Sequence, residues 1–300
     1  MARPTRSQRV VFFLLVLLLA AGAMWFINRN RPDVRQDVAP TRTTQTVQDP
    51  NAETVAQTRP SSIAEVIELA REALASMEDS LNDYTAQFTK QERDNAGNLT
   101  EKTKMEVKIQ SRLRNAENDA PMRIYLKFLA PETTAGREVI WAKDRYDAQM
   151  AVHDTSLVLS WKTLWLEPTG MLAMTGQRFP IYEIGLTRLV EKLIERGQKD
   201  VGNPDVSVTI TAGHPYDGRV TELIQATRSK PGGGEDDFSL AEIVYDPERK
   251  LVLSYRAFGW PENPNGDLPL LESYEYRDVR TNVGLTEQDF DVSNEGYNFP

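Results

Sequence analysis

The 300-residue chain contains no cysteine. That absence removes disulfides, thiolate nucleophiles, Cys-bound zinc and a lipid-modified N-terminal cysteine together. Histidine is nearly as scarce, with only His153 and His214, and two imidazoles leave a metal site short of ligands. No G-x-S-x-G, H-E-x-x-H, G-x-G-x-x-G or Walker A pattern occurs. There are no internal repeats of the kind that build propellers or solenoids. Positive charge is also short. Eight arginines and four acidic residues give the first 60 residues +4, so the whole-chain −9 leaves −13 on the remaining 240. A domain that acidic lacks the Lys and Arg surplus that binds phosphate backbones, so nucleic acid is excluded as a partner. Neither a metal nor a cofactor is implied.

Long apolar runs are missing except for one. Val10–Ile27 is an unbroken stretch of 18 residues preceded by Arg3, Arg6 and Arg9, which is just long enough to cross a bilayer. Ala21-Gly22-Ala23 offers a small-x-small cleavage site, but Met24-Trp25-Phe26-Ile27 continue the run, and Trp25 suits a membrane interface. We read residues 1–27 as a retained signal anchor, with a cleaved signal peptide as the alternative. Residues 28–60 contain no Leu, Ile, Met, Phe, Tyr or Trp. Such a segment cannot offset its ordering entropy by burial and is expected to be a disordered linker, spanning roughly 30 Å.

Residues 61–300 carry the folding signal. Ser62 and Glu65 form a capping-box pattern, and Ile63, Val66, Ile67, Ala70, Leu74, Met77 and Leu81 recur at helical spacing. The helix is expected to end near Ser80. The period then falls to two: Tyr84, Ala86 and Phe88, then Met105, Val107 and Ile109, then Met122, Ile124, Leu126 and Phe128. Strand candidates follow at Arg137–Ala142, Tyr146–His153, Leu157–Leu166, around Val206–Ile210, and at Arg219–Arg228, Phe238–Tyr245, Leu251–Gly259 and Leu270–Arg280. A second helix is expected over Ile181–Arg196, stopped by Gly197. The implied fold is mainly β (α+β): a large curved antiparallel sheet, or incomplete barrel, of about eleven strands with helices on one face. Residues 282–300 have too little periodicity to assign.

Chemistry-bearing clusters are weak. His153 with Asp144 or Asp154 could serve a hydrolase, but neighbouring strand residues point to opposite faces. Glu235-Asp236-Asp237 follows a Gly-rich turn and lacks the alternating spacing of a calcium loop, so it reads as a solvated turn. The distinctive segment is Glu167–Leu186, EPTGMLAMTGQRFPIYEIGL. Met171, Leu172, Met174, Phe179, Ile181 and Leu186 sit among Gly170, Gly176 and Gly185. Loops are ordinarily polar, and methionine adapts to apolar partners of variable shape. Two readings stand: a lid over a ligand site on the concave face of the sheet, or a permanent plug of ordinary core.

The order of helix, Phe88-x-x-Gln91, Gly97, the Met122–Phe128 strand, Pro131 and Val139-Ile140-Trp141 resembles the LolA/LolB-like periplasmic lipoprotein carrier superfamily. Further motifs are similar to a bacterial domain family of unknown function, number 1571. They include Lys90-Gln91-Glu92-Arg93, Lys127-Phe128-Leu129-Ala130-Pro131, Gly136-Arg137-Glu138-Val139-Ile140 and His153. Gly170-Met171-Leu172-Ala173-Met174, Pro180-Ile181, Ile184-Gly185-Leu186, Asp289-Phe290-Asp291 and Tyr297-Asn298-Phe299 complete the set. The superfamily resemblance implies an incomplete β-barrel, lidded by helices, that holds acyl chains. The carriers hold their lid through an arginine before a proline. Here Ala120 precedes Pro121, so no gating arginine carries over. The expectation is a non-enzymatic cell-envelope protein, inner-membrane-anchored and facing the periplasm, or periplasmic if cleaved. Its partner would be a lipid, an acyl chain or another apolar ligand. The alternative is a scaffold for another envelope protein, with a filled core.

Overall fold

Alternating apolar residues assemble one antiparallel sheet in the computed structural model, which describes residues 57–94, 97–111, 121–156, 160–234, 237–263 and 266–300. The apolar run 10–27, the linker as far as residue 56, Asn118-Asp119-Ala120 and Glu235-Asp236 lie outside the described residues. Among the described residues no helix is long and apolar enough to cross a membrane.

The strands are β1 (Thr58–Ser61), β2 (Asp83–Glu92), β3 (Thr103–Gln110), β4 (Arg123–Ala130), β5 (Glu138–Ala142) and β6 (Met150–His153). They continue as β7 (Leu164–Leu166), β8 (Val206–Tyr216), β9 (Arg219–Arg228), β10 (Leu240–Asp246), β11 (Leu251–Phe258) and β12 (Leu270–Thr281). Their spatial order is β1-β8-β9-β10-β11-β12-β2-β3-β4-β5-β6-β7. The sheet is curved and unclosed, with β1 and β7 at its edges. Both edges are blunted: β7 is three residues long, and β1 carries Pro60, which has no N–H to donate.

The twelfth strand is the one that periodicity does not announce. Thr58-Arg59-Pro60 were expected in the linker, yet they pair with Thr211, Ile210 and Thr209. The candidate strand Tyr146–His153 is shortened because Tyr146, Asp147 and Ala148 form a left-handed turn. Trp141 Nε1 donates 2.9 Å to the Ala148 carbonyl and holds that turn. Of the candidate at Leu157–Leu166, residues 157–159 lie outside the described residues, and among the rest the strand covers Leu164–Leu166.

Helix α1 (Ile63–Ser80) ends where expected. The Ser62 hydroxyl accepts from the Glu65 N–H at 3.2 Å, while the Glu65 carboxylate accepts from Ser61 and pairs with Arg59. A short helix α2 (Met171–Met174) precedes α3 (Leu186–Gln198). Helix α3 starts five residues later than its periodicity suggested, because Ile181–Glu183 is a separate 3-10 turn and Gly185 sits at φ +126°. Nor does Gly197 stop it. Gly197 lies inside the last turn, where a Cβ would stand 3.3 Å from Ile67 Cγ1. Glycine there lets α1 and α3 approach closely.

The C-terminal residues cover the outer face of β4–β6. Phe290 is fully buried with Tyr125, Ile140 and Ala151, and Tyr297 stacks on Tyr125 at 4.1 Å. Glu138, also fully buried, accepts from the Asn298 N–H at 2.8 Å, from Asn298 Nδ2 at 3.0 Å and from the Tyr125 hydroxyl at 3.2 Å. Lys108–Asp289 and Arg145–Asp291 pin the same segment at 2.8 Å each. Burial opposes ionisation of Asp289, but Lys108 and the Thr286 amide and hydroxyl outweigh it and lower its pKa. Asp291 is lowered first by the Ser293 N–H and hydroxyl and then, against burial, by Arg145. Depressed carboxylate values stabilise fully above the ordinary value of 3.8 and lose that contribution as pH falls through the folded value. Hydrogen exchange, corrected for intrinsic rates, should therefore show residues 285–300 losing protection below about pH 3.8 before β2 and β3 do. Simultaneous loss would mean that these ion pairs do not hold the tail.

Candidate functional site

The concave face is built from side chains at alternate positions. Phe88 faces Tyr276 across β2 and β12, Lys90 faces Tyr274, and Glu92 faces Glu272. The phase that buries Tyr84, Ala86 and Phe88 thus carries a lysine and a glutamate inward at its far end. Phe88 stacks on Tyr276 at 4.5 Å and lies 6.3 Å from Tyr274.

Helix α3 is seated on this floor by two tyrosine hydroxyls. Gly185 has no side chain to cap the helix; instead the Gly185 N–H donates to Tyr276 Oη at 3.1 Å and the Leu186 N–H to Tyr84 Oη at 2.9 Å. Burial pushes both phenols well above their ordinary pKa, so they remain neutral acceptors. Tyr84→Phe leaves the Leu186 N–H buried without its partner, and chemical denaturation should read a loss of about 1–3 kcal/mol. A loss within experimental error would rule out this cap.

Between α3, the segment Pro168–Ile184 and strands β2–β7, β11 and β12 lies a cavity of about 230 Å³. Its floor includes Phe88, Met105, Leu126, Val139, Met150 and Val152, and its cover includes Leu172, Ala173, Phe179 and Ile181. One side is charged. Glu92 and Glu272 are nearly inaccessible, each with 5% side-chain exposure. The Tyr274 hydroxyl bridges them, donating to Glu92 at 2.6 Å and Glu272 at 3.1 Å. Burial first, then the two carboxylates, push the Tyr274 pKa far up, so the phenol keeps its proton. Lys90 pairs with Glu92 at 3.2 Å and donates to Gln177 Oε1 at 2.6 Å. Arg178 approaches Glu272 at 3.4 Å, and Arg196 of α3 pairs with Glu272 and reaches the Tyr255 hydroxyl at 3.3 Å. Gln177 and Arg178 belong to the covering segment, so this network ties the cover to the sheet.

A family model described as "Protein of unknown function (DUF1571)" matches residues 81–299. The chain belongs to this family. No curated protein matches it. Among solved structures, a DUF1329 family protein from Desulfovibrio piger is 12% identical with a TM-score of 0.36, covering 77% of this chain and 97% of its own. A LolA superfamily protein from Nitrosomonas europaea is 8% identical with a TM-score of 0.28, covering 74% and 97% respectively. These likenesses are distant, and nothing about the ligand of the DUF1571 chain rests on them.

Of the six lid residues expected from sequence, Leu172, Phe179 and Ile181 line the cavity. Met171 is 88% exposed and Leu172 74%. Met174 is half-buried, and Leu186 is fully buried in the main core rather than in the lining. The Lys90–Glu92–Glu272–Arg178–Arg196 network was not anticipated. Its signal was available: Lys90, Glu92 and Glu272 occupy the inward phase of strands whose other inward residues are aromatic or apolar.

The hydrolase candidates are not brought together. The His153 ring is buried on the outer side, 6.1 Å from Phe299, and its Nδ1 has no partner among the described residues. Asp154 is engaged by Arg137 at 2.6 Å, and both oxygens of Asp144 by Arg123 at 3.1 and 2.6 Å. His214 sits at a bulge in β8, its pKa lowered chiefly by burial. Asp237 accepts from the Gly232 and Gly233 amides at 3.0 and 3.2 Å, bracing the Gly-rich turn. Among the described residues no group of three or more acidic or histidine side chains could hold a metal ion.

Proposed function

We propose that the DUF1571 chain is a non-enzymatic cell-envelope protein that holds a lipid, an acyl chain or a similar apolar ligand beneath the segment Gly170–Leu193. The observation that carries this reading is the cavity of about 230 Å³ between that segment and the sheet. It has an aliphatic and aromatic floor and a charged side that fastens the cover. A permanently filled core, as the scaffold alternative requires, would leave no such space. Met171 and Leu172, exposed at the outer lip, give an entering chain an apolar approach. Residues 10–27 would anchor the protein in the inner membrane facing the periplasm.

The test is native mass spectrometry of the full chain, extracted gently from a bacterial host, beside Phe179→Ala and Ile181→Asp variants. A discrete extra mass that extracts as lipid, retained by the unmodified chain and lost from Ile181→Asp, is the expected result. A clean apo mass that persists after incubation with 1-monolauroylglycerol and acylated peptides would make the segment a plug.

A further inference from the structure

Helix α3 lays two parallel rows of side chains along the cavity of about 230 Å³. Leu189 and Leu193 form one row; Arg188, Lys192 and Arg196, spaced by four residues, form the other. The lining as a whole holds five cations, with Lys90 and Arg137 the other two, against the three carboxylates of Glu92, Glu183 and Glu272. The surplus is local, since residues 61–300 as a whole are strongly acidic.

Four of the five cations are fastened at short range. Lys90 donates to Gln177 Oε1 at 2.6 Å beside Glu92, and Arg137 meets Asp154 at 2.6 Å. Arg188 meets Glu183 at 2.7 Å and Glu191 at 2.6 Å, and Arg196 pairs with Glu272. Lys192 differs. Its ammonium stands 3.4 Å from Glu195 and 3.8 Å from Glu183, both beyond the roughly 2.7–2.9 Å of a charge-assisted hydrogen bond. Glu195 is itself 56% exposed, so water screens that pairing. Glu183 sets both its oxygens on Arg188, at 2.7 and 3.1 Å. An ammonium has three donors to place, and Lys192, 35% exposed, reaches both the lining and solvent.

We propose that the ligand of this cavity is an amphiphile with an anionic head, a carboxylate or a phosphate, which Lys192 receives while the chain lies along Leu189 and Leu193. The inference rests on the ligand-holding reading of the cavity and adds the charge of what it holds. A neutral head leaves the ammonium with its two long contacts; an anion gives it a short one. The head belongs to this cavity and not to its neighbour. A second cavity of about 410 Å³ lies across α3, between α1, α3 and strands β8–β11. It shares Leu193, Arg196 and Tyr255 with the first, but of the two only the first is lined by Arg188 and Lys192.

The experiment compares laurate, monododecyl phosphate and the neutral ester 1-monolauroylglycerol by titration calorimetry. It uses the full chain in a single non-ionic detergent at about pH 8, where both acids and lysine are ionised. At least one anion should bind about tenfold more tightly than the ester, the gain of one charge-assisted hydrogen bond, and the tighter of the two names the head. Lys192→Gln should bring the anion-to-ester ratio to about one. Lys230→Gln makes the same charge change at an exposed position just beyond β9 and should leave the ratio unchanged, as should Ala241→Trp, which fills the second cavity. Equal affinities for anions and ester in the unmodified chain overturn the inference and leave the proposed function standing. A preference that survives Lys192→Gln, or that Lys230→Gln or Ala241→Trp removes, places the head elsewhere and overturns it too. Binding of none of the three probes would sink the proposed function itself.

Discussion

Glu272→Ala should destabilise the protein by about 3–5 kcal/mol, the usual cost of removing one partner from a buried ionic group. Glu272 lies at the centre of the network, with Arg178, Arg196 and Tyr274 converging on it. Without it, the two guanidiniums, 28% and 21% exposed, stay largely desolvated with their shared anion gone. The loss should reach beyond global stability. Arg178 lies in the covering segment and Arg196 in the last turn of α3, so the variant should speed hydrogen exchange across residues 171–184 more than across β3 and β4. Glu272→Gln keeps the shape and one acceptor and should lose less. Equal exchange in the cover and in β3 would show that the network stabilises the sheet without fastening the cover.

Phe88→Ala is the second large effect. Phe88 is 3% exposed and packs between Tyr276 and Tyr274 on the cavity floor. Truncating a buried phenylalanine costs about 3–5 kcal/mol, part of it for the void left behind. Here the void opens into space that already exists, so the variant discriminates between a ligand site and a plug. If an acyl chain occupies the cavity, 1-monolauroylglycerol at a hundred times its Kd should restore about 2.7 kcal/mol by mass action. The thermal midpoint of Phe88→Ala would then rise with probe concentration. A midpoint unaffected by the probe would leave only lost packing.

Much of this fold was legible because a sheet covered on one face writes itself as alternation. Tyr84-Ala86-Phe88 and Met105-Val107-Ile109 face the helices in the structure as their spacing implied. The same rule hid β1, since Thr58-Arg59-Pro60-Ser61 contains no apolar residue and joins the sheet through its backbone at an edge. The C-terminal cover was hidden for another reason: Phe290, at the end of the four-residue 3-10 turn Glu287–Phe290, and Tyr297 and Phe299 beyond it pack one at a time, too few and too unevenly spaced to leave a period. Gly197 was misread because a glycine near a helix end serves equally as a stop or as a contact point, and only the position of Ile67 distinguishes them. The site was half visible. Its apolar cover stood out against ordinary loop composition, whereas its charged side joins residues as far apart as Glu92 and Tyr274. Among forty carboxylates in residues 61–300, pairing over that separation leaves no local trace.

Strand β1 also has a mechanical consequence. It meets β8 over four residue pairs, from Thr58 with Thr211 to Ser61 with Val208, and runs almost directly into α1 at Ile63. Tension on the chain ahead of Thr58 is therefore borne first by those four pairs, not by α1. Pulled away from the edge, they open one at a time, as a zipper does, at low force. Only when the last has parted does the load reach Ile63 and Val66, which wall the second cavity. The short strand works as a strain relief, insulating that cavity from small tugs on the N-terminal chain and passing on only large ones.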